Sequence, residues 1–172
     1  RFKAQPAEIV ERVSALQEEL KGTQKALAAA REQLALAKAE ALAAQAVAVG
    51  ATPAGAPFQL LVARLDGVEG AGLQSAAQGL ADQLGDGAAV VLGGLPEPAD
   101  LGKVILVAAF GPAVIAAGQQ AGKFIGGVAK ACGGGGGGRP NLAQAGGRDG
   151  AALDLALEQA RSALVAEISG RC

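Results

Sequence analysis

Residues 88–110 read AAVVLGGLPEPADLGKVILVAAF. Two short apolar runs, AAVVLGGL (88–95) and KVILVAAF (103–110), flank a turn-rich PEPAD segment. Runs of this length, rich in Val and bounded by Gly, Pro and Asp, predict buried strands rather than helices. Working outward, FQLLVARLDG (58–67) is a third strand, ended by Asp-Gly. Between the first strand and the second, GAGLQSAAQGLADQLGDG (70–87) spaces Leu73, Ala77, Leu80 and Leu84 as one helix face and stops at Gly85-Asp-Gly. On the other side, PAVIAAGQQAGKFIGGVAKAC (112–132) predicts a single helix on Val114, Gly118, Ala121, Ile125, Val128 and Ala129, with Pro112 in its first turn. A last helix begins near residue 150 with Asp149 as N-cap and a stripe of Leu153, Leu157 and Leu164 or Val165. Strands interleaved with helices give an α+β, α-β sandwich: a small mixed sheet covered by helices, with too few strands for a doubly wound fold.

The N-terminal third has another pattern. Ile9, Val13, Leu16, Leu20, Thr23, Leu27, Ala30, Leu34, Ala37 and Ala41 alternate steps of four and three, with charges off the seam. That heptad predicts a long, coiled-coil-like helix over 7–48 that packs on one other helix. Gly22 is a weak point within it, at about 1 kcal/mol relative to Ala. GATPAGAP (50–57) carries neither period and is expected as a hinge. The expected division is therefore 1–49 helical, 50–57 hinge and 58–172 globular.

Composition narrows the chemistry. The chain has 172 residues and no histidine, which removes His-containing zinc sites and Ser-His or Cys-His nucleophile pairs. Its two cysteines, Cys132 and Cys172, are too few for a metal site, so neither metal nor cofactor is expected. Aromatics are 2% of the chain, so the core must be aliphatic. The longest apolar run, 104–118, is broken by Gly111 and Pro112 and is too short for a membrane span of about 20 residues. The absence of Met, including at position 1, reads as a fragment or processed product.

Net charge is only −1, but its distribution is uneven. From Leu101 to Arg148 there is no acidic residue, while Lys103, Lys123, Lys130, Arg139 and Arg148 give this window a charge of +5. Phosphate responds to such local patches, within a Debye length of about 8 Å at physiological salt. Lys123 and Lys130 are seven apart and share a helix face. The same window contains CGGGGGGRPNLAQAGG (132–147). Glycine leaves backbone N–H groups uncovered and permits positive φ, so Gly133, Gly134, Gly135, Gly136, Gly137 and Gly138 could form an anion-binding nest. Arg139 would grip phosphate beside it or stack on a base. Gln144 offers an amide that donates and accepts. A flexible linker is the commoner meaning of a glycine run, and scattered solubilising charge is the bland reading of the cations.

The segment 132–147 closely resembles the Gly-rich signature near the C-terminus of bacterial and mitochondrial-type alanyl-tRNA synthetases, whose last domain, C-Ala, belongs to the DHH-associated nucleic-acid-binding domains. AGKFIGGVAKA (121–131) is similar to the helix leading into that signature, and 7–48 to the helical stretch after the editing domain. Arg139 stands where related DHH phosphoesterases carry His, which favours the synthetase branch. The run here is six plain glycines, without interspersed Lys or Arg.

The resemblance implies a non-catalytic fragment of an ATP-dependent ligase that contacts the outer corner of an alanine-accepting tRNA and supports aminoacylation and editing. Its expected partners are that tRNA, the parent's other domains and a second copy through the 7–48 helix, in bacterial cytoplasm or the mitochondrial matrix. It carries over to Gly133–Gly138, Arg139, Gln144, Gly146 and Gly147; Lys123, Lys130 and Arg148 are added on charge. Two alternatives stay open. One is the C-terminal half of a DHH-type phosphoesterase, whose upstream Asp and His ligands this chain lacks. The other is a DNA-binding or dimerisation module, since phosphate contacts discriminate poorly between nucleic acids.

Overall fold

A computed structural model describes residues 6–52 and 55–169. The chain divides into two compact units, residues 1–34 and 35–172. The first unit consists of most of helix α1 (Pro6–Ala43). That helix runs unbroken through Gly22, and Thr23 Oγ1 donates to the Glu19 and Leu20 carbonyls, both at 2.9 Å. Four apolar seam residues, Val13, Leu16, Leu20 and Leu27, are exposed. The helix stops at Ala43, not near 48, because the chain turns at 44–45 and Val47–Val49 becomes strand β1.

The second unit is built on one six-stranded sheet in the order β1-β2-β3-β4-β6-β5. The strands are β1, β2 (Phe58–Arg64), β3 (Ala88–Gly94), β4 (Val104–Phe110), β5 (Gly135–Gly138) and β6 (Leu142–Gly147). Only β2 and β3 pair in parallel, joined through helix α2 (Gly70–Leu84). The three apolar runs are central strands as expected, and every residue of β3 and β4 is buried.

Three expectations are corrected. Residues 50–57 connect two paired strands, β1 and β2, so they are a strand connection within the sheet and not a hinge between domains. The sheet also has six strands rather than three, because β1 and the hairpin β5–β6 add to it. The 112–132 segment, finally, is two helices, α3 (Pro112–Ala116) and α4 (Ala121–Ala131). Gly118 takes φ +89° between them, and Gln119 N bonds back to the Val114 carbonyl at 3.2 Å, which ends the first ladder. The last helix, α5 (Leu153–Ser169), follows a turn in which Asp149 Oδ1 accepts from Ala151 N at 3.1 Å and Ala152 N at 3.2 Å. Cys172 lies outside the described residues.

Two apolar layers hold the sheet. One packs α4 and α5 on Val62, Leu106, Ala108, Ala143 and Ala145. The other packs α2 on Leu61, Val90, Leu92, Ile105 and Val107. Each fully buried Leu, Ile or Val in these layers contributes about 1.5–3 kcal/mol. Coverage is uneven: α2 lies over β3 and β4, whereas α4 reaches β4, β6 and β5 on the opposite face. At the β6–β5 end, α4 covers one face, while on the other face α2 reaches no farther than β6.

Candidate nucleic-acid interface

The six glycines are not slack chain. Gly133 is the left-handed residue that ends α4, at φ +64°. Gly133 N donates to Lys130 O at 3.1 Å and Gly134 N to Ala129 O at 2.9 Å, the paired bonds of a Schellman cap. From Gly135 the chain is extended and pairs with β6: Gly135 with Gly146, Gly136 with Ala145, Gly137 with Gln144, Gly138 with Ala143. Among residues 134–138 none has positive φ. The expected nest, which needs alternating handedness, is therefore not formed; pairing with β6 holds the backbone extended instead.

The strand has two unlike faces. Directly opposed residues project to the same side, and buried Ala143 and Ala145 face α4. Gly136 and Gly138 are thus on the α4 side, and Gly122 and Gly126 of α4 lie against them. A Cβ at Gly122 would stand 2.6 Å from the Gly138 carbonyl, and one at Gly126 3.1 Å from that of Gly136. A methyl at Gly138 would meet Ala143 Cα at 2.7 Å; at Gly134 it would overlap Gly146 O, and at Gly136 it would overlap Ala145. Gly135 and Gly137 point the other way, beside Gly146 and Gln144. An added Cβ finds nothing within 4 Å at Gly135 and only the Gly122 carbonyl, at 3.9 Å, at Gly137.

The hairpin corner is fixed on three sides. Arg139 N donates to Leu142 O at 2.9 Å, Ala121 N to Pro140 O at 2.9 Å and Phe110 N to Asn141 O at 2.8 Å. The Arg139 side chain is exposed at this anchored corner. At the other end, Cys132 O accepts from Arg148 N at 2.8 Å and Asp149 N at 3.0 Å. A methyl on Gly147 would stand 2.7 Å from Cys132 Cβ, so Gly147 serves that junction. Cys132 is buried, and burial first, then the charge of Asp149, pushes its thiol pKa up.

An open groove of about 940 Å³ is lined by the start of β4, the start of β5 and the end of β6. Its lining brings together Gly133, Gly134, Gly135, Gln144, Gly146, Gly147 and Arg148 with five further residues, Gly70, Lys103, Val104, Ile105 and Ala145. Arg139 stands at the far corner of the hairpin. Lys123 and Lys130 are exposed on α4, on the other face of the sheet, where Lys123 lines a groove against α5. The predicted residues thus fall into a groove set, a corner residue and a helix pair. Lys103 belongs with the groove and sits in the acid-free window, which was its available signal. Gly70 had none, because its place follows from where α2 starts.

Charge is segregated by the same topology. All acidic residues of 58–169 lie outside 101–148, so the half-sheet β4-β6-β5 with α3 and α4 carries none. The cations of the other half are engaged: Arg64 with Asp66 and Asp154, both at 2.8 Å, and Arg161 with the Val62 carbonyl at 2.9 Å. None of the five window cations forms an ion pair with a described residue. Among the described residues no cluster of His, Cys, Asp or Glu is placed to hold a metal, and no helix is long and apolar enough to cross a membrane.

Residues 58–166 match the DHHA1 domain. The alanine–tRNA ligase of Synechococcus sp. (strain RCC307) is 78% identical over 170 residues, which cover 99% of this chain and 19% of that protein. The alanine–tRNA ligase of Parasynechococcus marenigrum (strain WH8102) is 77% identical over 168 residues, 98% of this chain and 18% of that protein. The chain thus spans about a fifth of the length of these relatives. In three dimensions it is similar to the crystal structure of the C-Ala domain from Aquifex aeolicus alanyl-tRNA synthetase, with a TM-score of 0.56 and 25% identity, covering 69% of this chain and 98% of that one.

Proposed function

The chain belongs to the DHHA1 domain family, and from that membership we propose that it is the C-terminal, tRNA-binding module of an alanine–tRNA ligase. In this reading it contacts the outer corner of alanine-accepting tRNA and supports aminoacylation and editing by the parent's other domains, in the bacterial cytoplasm. The observation that carries the reading is the acid-free half-sheet. Its unpaired cations surround an exposed backbone that has almost no side chains of its own. Such a surface attracts phosphate and admits close approach, and folded RNA is read largely through shape, phosphate and exposed bases.

The test is a titration of the purified chain against tRNA, duplex DNA and single-stranded DNA across salt concentrations. The expected result is tRNA binding that weakens steeply as salt rises. Binding indistinguishable from zero at low salt sinks the proposal. Equal affinity for duplex DNA turns it into a general nucleic-acid module. The exposed seam of α1 supports a second role in self-association, which light scattering at high protein concentration would reveal as a dimer mass; a strictly monomeric mass rules that role out.

A further inference from the structure

We propose that Asp86 is a site of spontaneous backbone modification: its carboxyl condenses with the Gly87 nitrogen to a succinimide, which water reopens to isoaspartate. The chain has three Asp-Gly steps, Asp66-Gly67, Asp86-Gly87 and Asp149-Gly150. The fold locks two of them and leaves this one free. The reaction proceeds whether or not the chain binds nucleic acid.

An aspartate followed by glycine closes this ring readily, because glycine has no side chain to shield its nitrogen and permits the backbone turn that closure requires. A fold opposes closure in two ways: it engages the glycine N–H, or it holds the carboxylate away. At Asp66 it does both. Gly67 N donates to Leu95 O at 2.8 Å, and the carboxylate accepts from Leu95 N at 2.9 Å and Arg64 Nε at 2.8 Å. At Asp149 it does both again. Gly150 N donates to Leu101 O at 2.8 Å, and Asp149 Oδ1 accepts from Ala151 N and Ala152 N. Asp86 and Gly87 are instead the central pair of a turn closed by Ala88 N on Gly85 O at 3.0 Å, a closure that leaves the Gly87 N–H unused. Among the described residues neither that N–H nor the exposed Asp86 carboxylate has a hydrogen-bond or ion-pair partner. Glycines on both sides, with Gly85 at φ +84°, put no bulk beside the carboxyl. Asp86 also lines an open groove of about 310 Å³ with Gln78, Asp82 and Asn141, so water reaches it.

In the first step the bond from Gly87 N to Asp86 Cγ forms, the Cγ–OH bond breaks, and the hydroxyl leaves with the amide proton as water. In the second, water adds to one of the two ring carbonyls. Addition at Cγ restores aspartate. Addition at the Asp86 main-chain carbonyl carbon breaks its bond to Gly87 N, and the chain then runs through Cγ. Water is the only co-reactant, and mass and formal charge end as they began. The consequence falls on the Asp86 carbonyl oxygen. It accepts from Ala113 N at 3.0 Å in the first turn of α3, and a Cβ on Gly111 would overlap it. Ring closure turns this carbonyl and must first release Ala113 N, which sets a slow pace. Isoaspartate then adds a methylene to the main chain between α2 and β3 and moves that oxygen onto a side branch. The junction of Asp86 with Gly111 and α3 loosens.

The test ages the full chain for weeks at neutral pH and digests it with endoproteinase Asp-N, which cuts before aspartate and not before isoaspartate. The cut before Asp86 should be lost severalfold faster than the cuts before Asp66 and Asp149, through an intermediate lighter by one water. In urea, where the protecting bonds are gone, the three steps should age at similar rates. NMR spectra of the aged folded chain should show a second set of Gly111 and Ala113 amide signals. Asp86→Glu keeps the charge of an exposed side chain but needs a larger ring, which closes far more slowly. It should abolish both the water-lighter species at this turn and the second set of signals. A folded chain in which Asp86 ages no faster than Asp66 or Asp149 overturns the proposal. So does a second set of signals that persists in Asp86→Glu.

Discussion

Gly70, the first residue of α2, and Gln144, in the middle of β6, meet side by side: a methyl group on Gly70 would stand 2.6 Å from Gln144 Nε2. Gly70 therefore sets where the Gln144 amide rests. Gly70→Ala should favour the helix by up to about 1 kcal/mol and leave thermal stability unchanged or slightly higher. The same change displaces Gln144 and should weaken tRNA binding severalfold. Calorimetry and a binding titration on one preparation read both effects; unaltered affinity would show that Gln144 needs no fixed position.

Arg139 is exposed at a corner held by three backbone bonds, none of which uses its side chain. Arg139→Ala should weaken tRNA binding and reduce its salt dependence by about one phosphate contact. The far-UV spectrum and Tm should stay as in the parent chain. Unfolding of the variant would assign the arginine to the fold instead.

Stability should alternate along the glycine run. Gly133→Ala places a side chain at positive φ and should cost about 1–2 kcal/mol. Gly136→Ala overpacks the hairpin against Ala145, with an expected cost of about 1–3 kcal/mol or more. Gly135→Ala should be neutral or stabilising, because it shortens the list of unfolded conformations. In a domain of this size each kcal/mol moves Tm by roughly 2–4 °C, so three melting curves suffice. Equal losses at 135 and 136 would contradict the two-faced strand.

Burial raises the Cys132 thiol pKa. A raised acid pKa means that the folded state disfavours the thiolate, so the contribution is fully present below the unfolded pKa and is lost as pH climbs above it. The unfolded thiol titrates near 8.5; Tm should therefore fall above about pH 8.5–9, and fall less in Cys132→Ala. With Cys172→Ser in place, Cys132 should react with a thiol reagent at pH 8 only as fast as the domain opens.

Asp66 holds the parallel strands at their C-terminal ends: Oδ1 accepts from Leu95 N at 2.9 Å while Oδ2 pairs with Arg64. Asp66→Ala strands a backbone N–H beside buried Leu95 and should cost about 1–3 kcal/mol in urea unfolding. Asp154→Ala breaks only the exposed arm of the same network and should cost less than about 1 kcal/mol.

The central strands could be read from the sequence because AAVVLGGL and KVILVAAF are apolar at almost every position, as two-sided burial demands. The edge hairpin could not. Periodicity is a property of side chains, and GGGG has none to display, while LAQAGG is too small to show which face is inside. The break at Gly118 was hidden because Val114, Ala121 and Ile125 keep helical spacing across it. The end of α1 at Ala43 was hidden by alanines, which favour helix equally before and after the turn. For the proposed interface, charge pointed to one half of the sheet, the acid-free β4-β6-β5 half. It could not separate the groove, with Lys103 and Arg148, from Lys123 and Lys130, since one chain window supplies both faces of the sheet.

Most strands keep their alignment through the side chains they alternate, and a slip by one residue exposes what should be buried. Strand β5 carries no such record. Its alignment is held only at its ends, by the Gly133 cap on α4 and by the Pro140–Asn141 corner tied to Ala121 and Phe110. The strand behaves as a measured length between two posts. A single glycine added or removed within 134–138 would meet no local objection from the sequence. It would still move Arg139 relative to Gln144, so the count of the glycines matters as much as their identity.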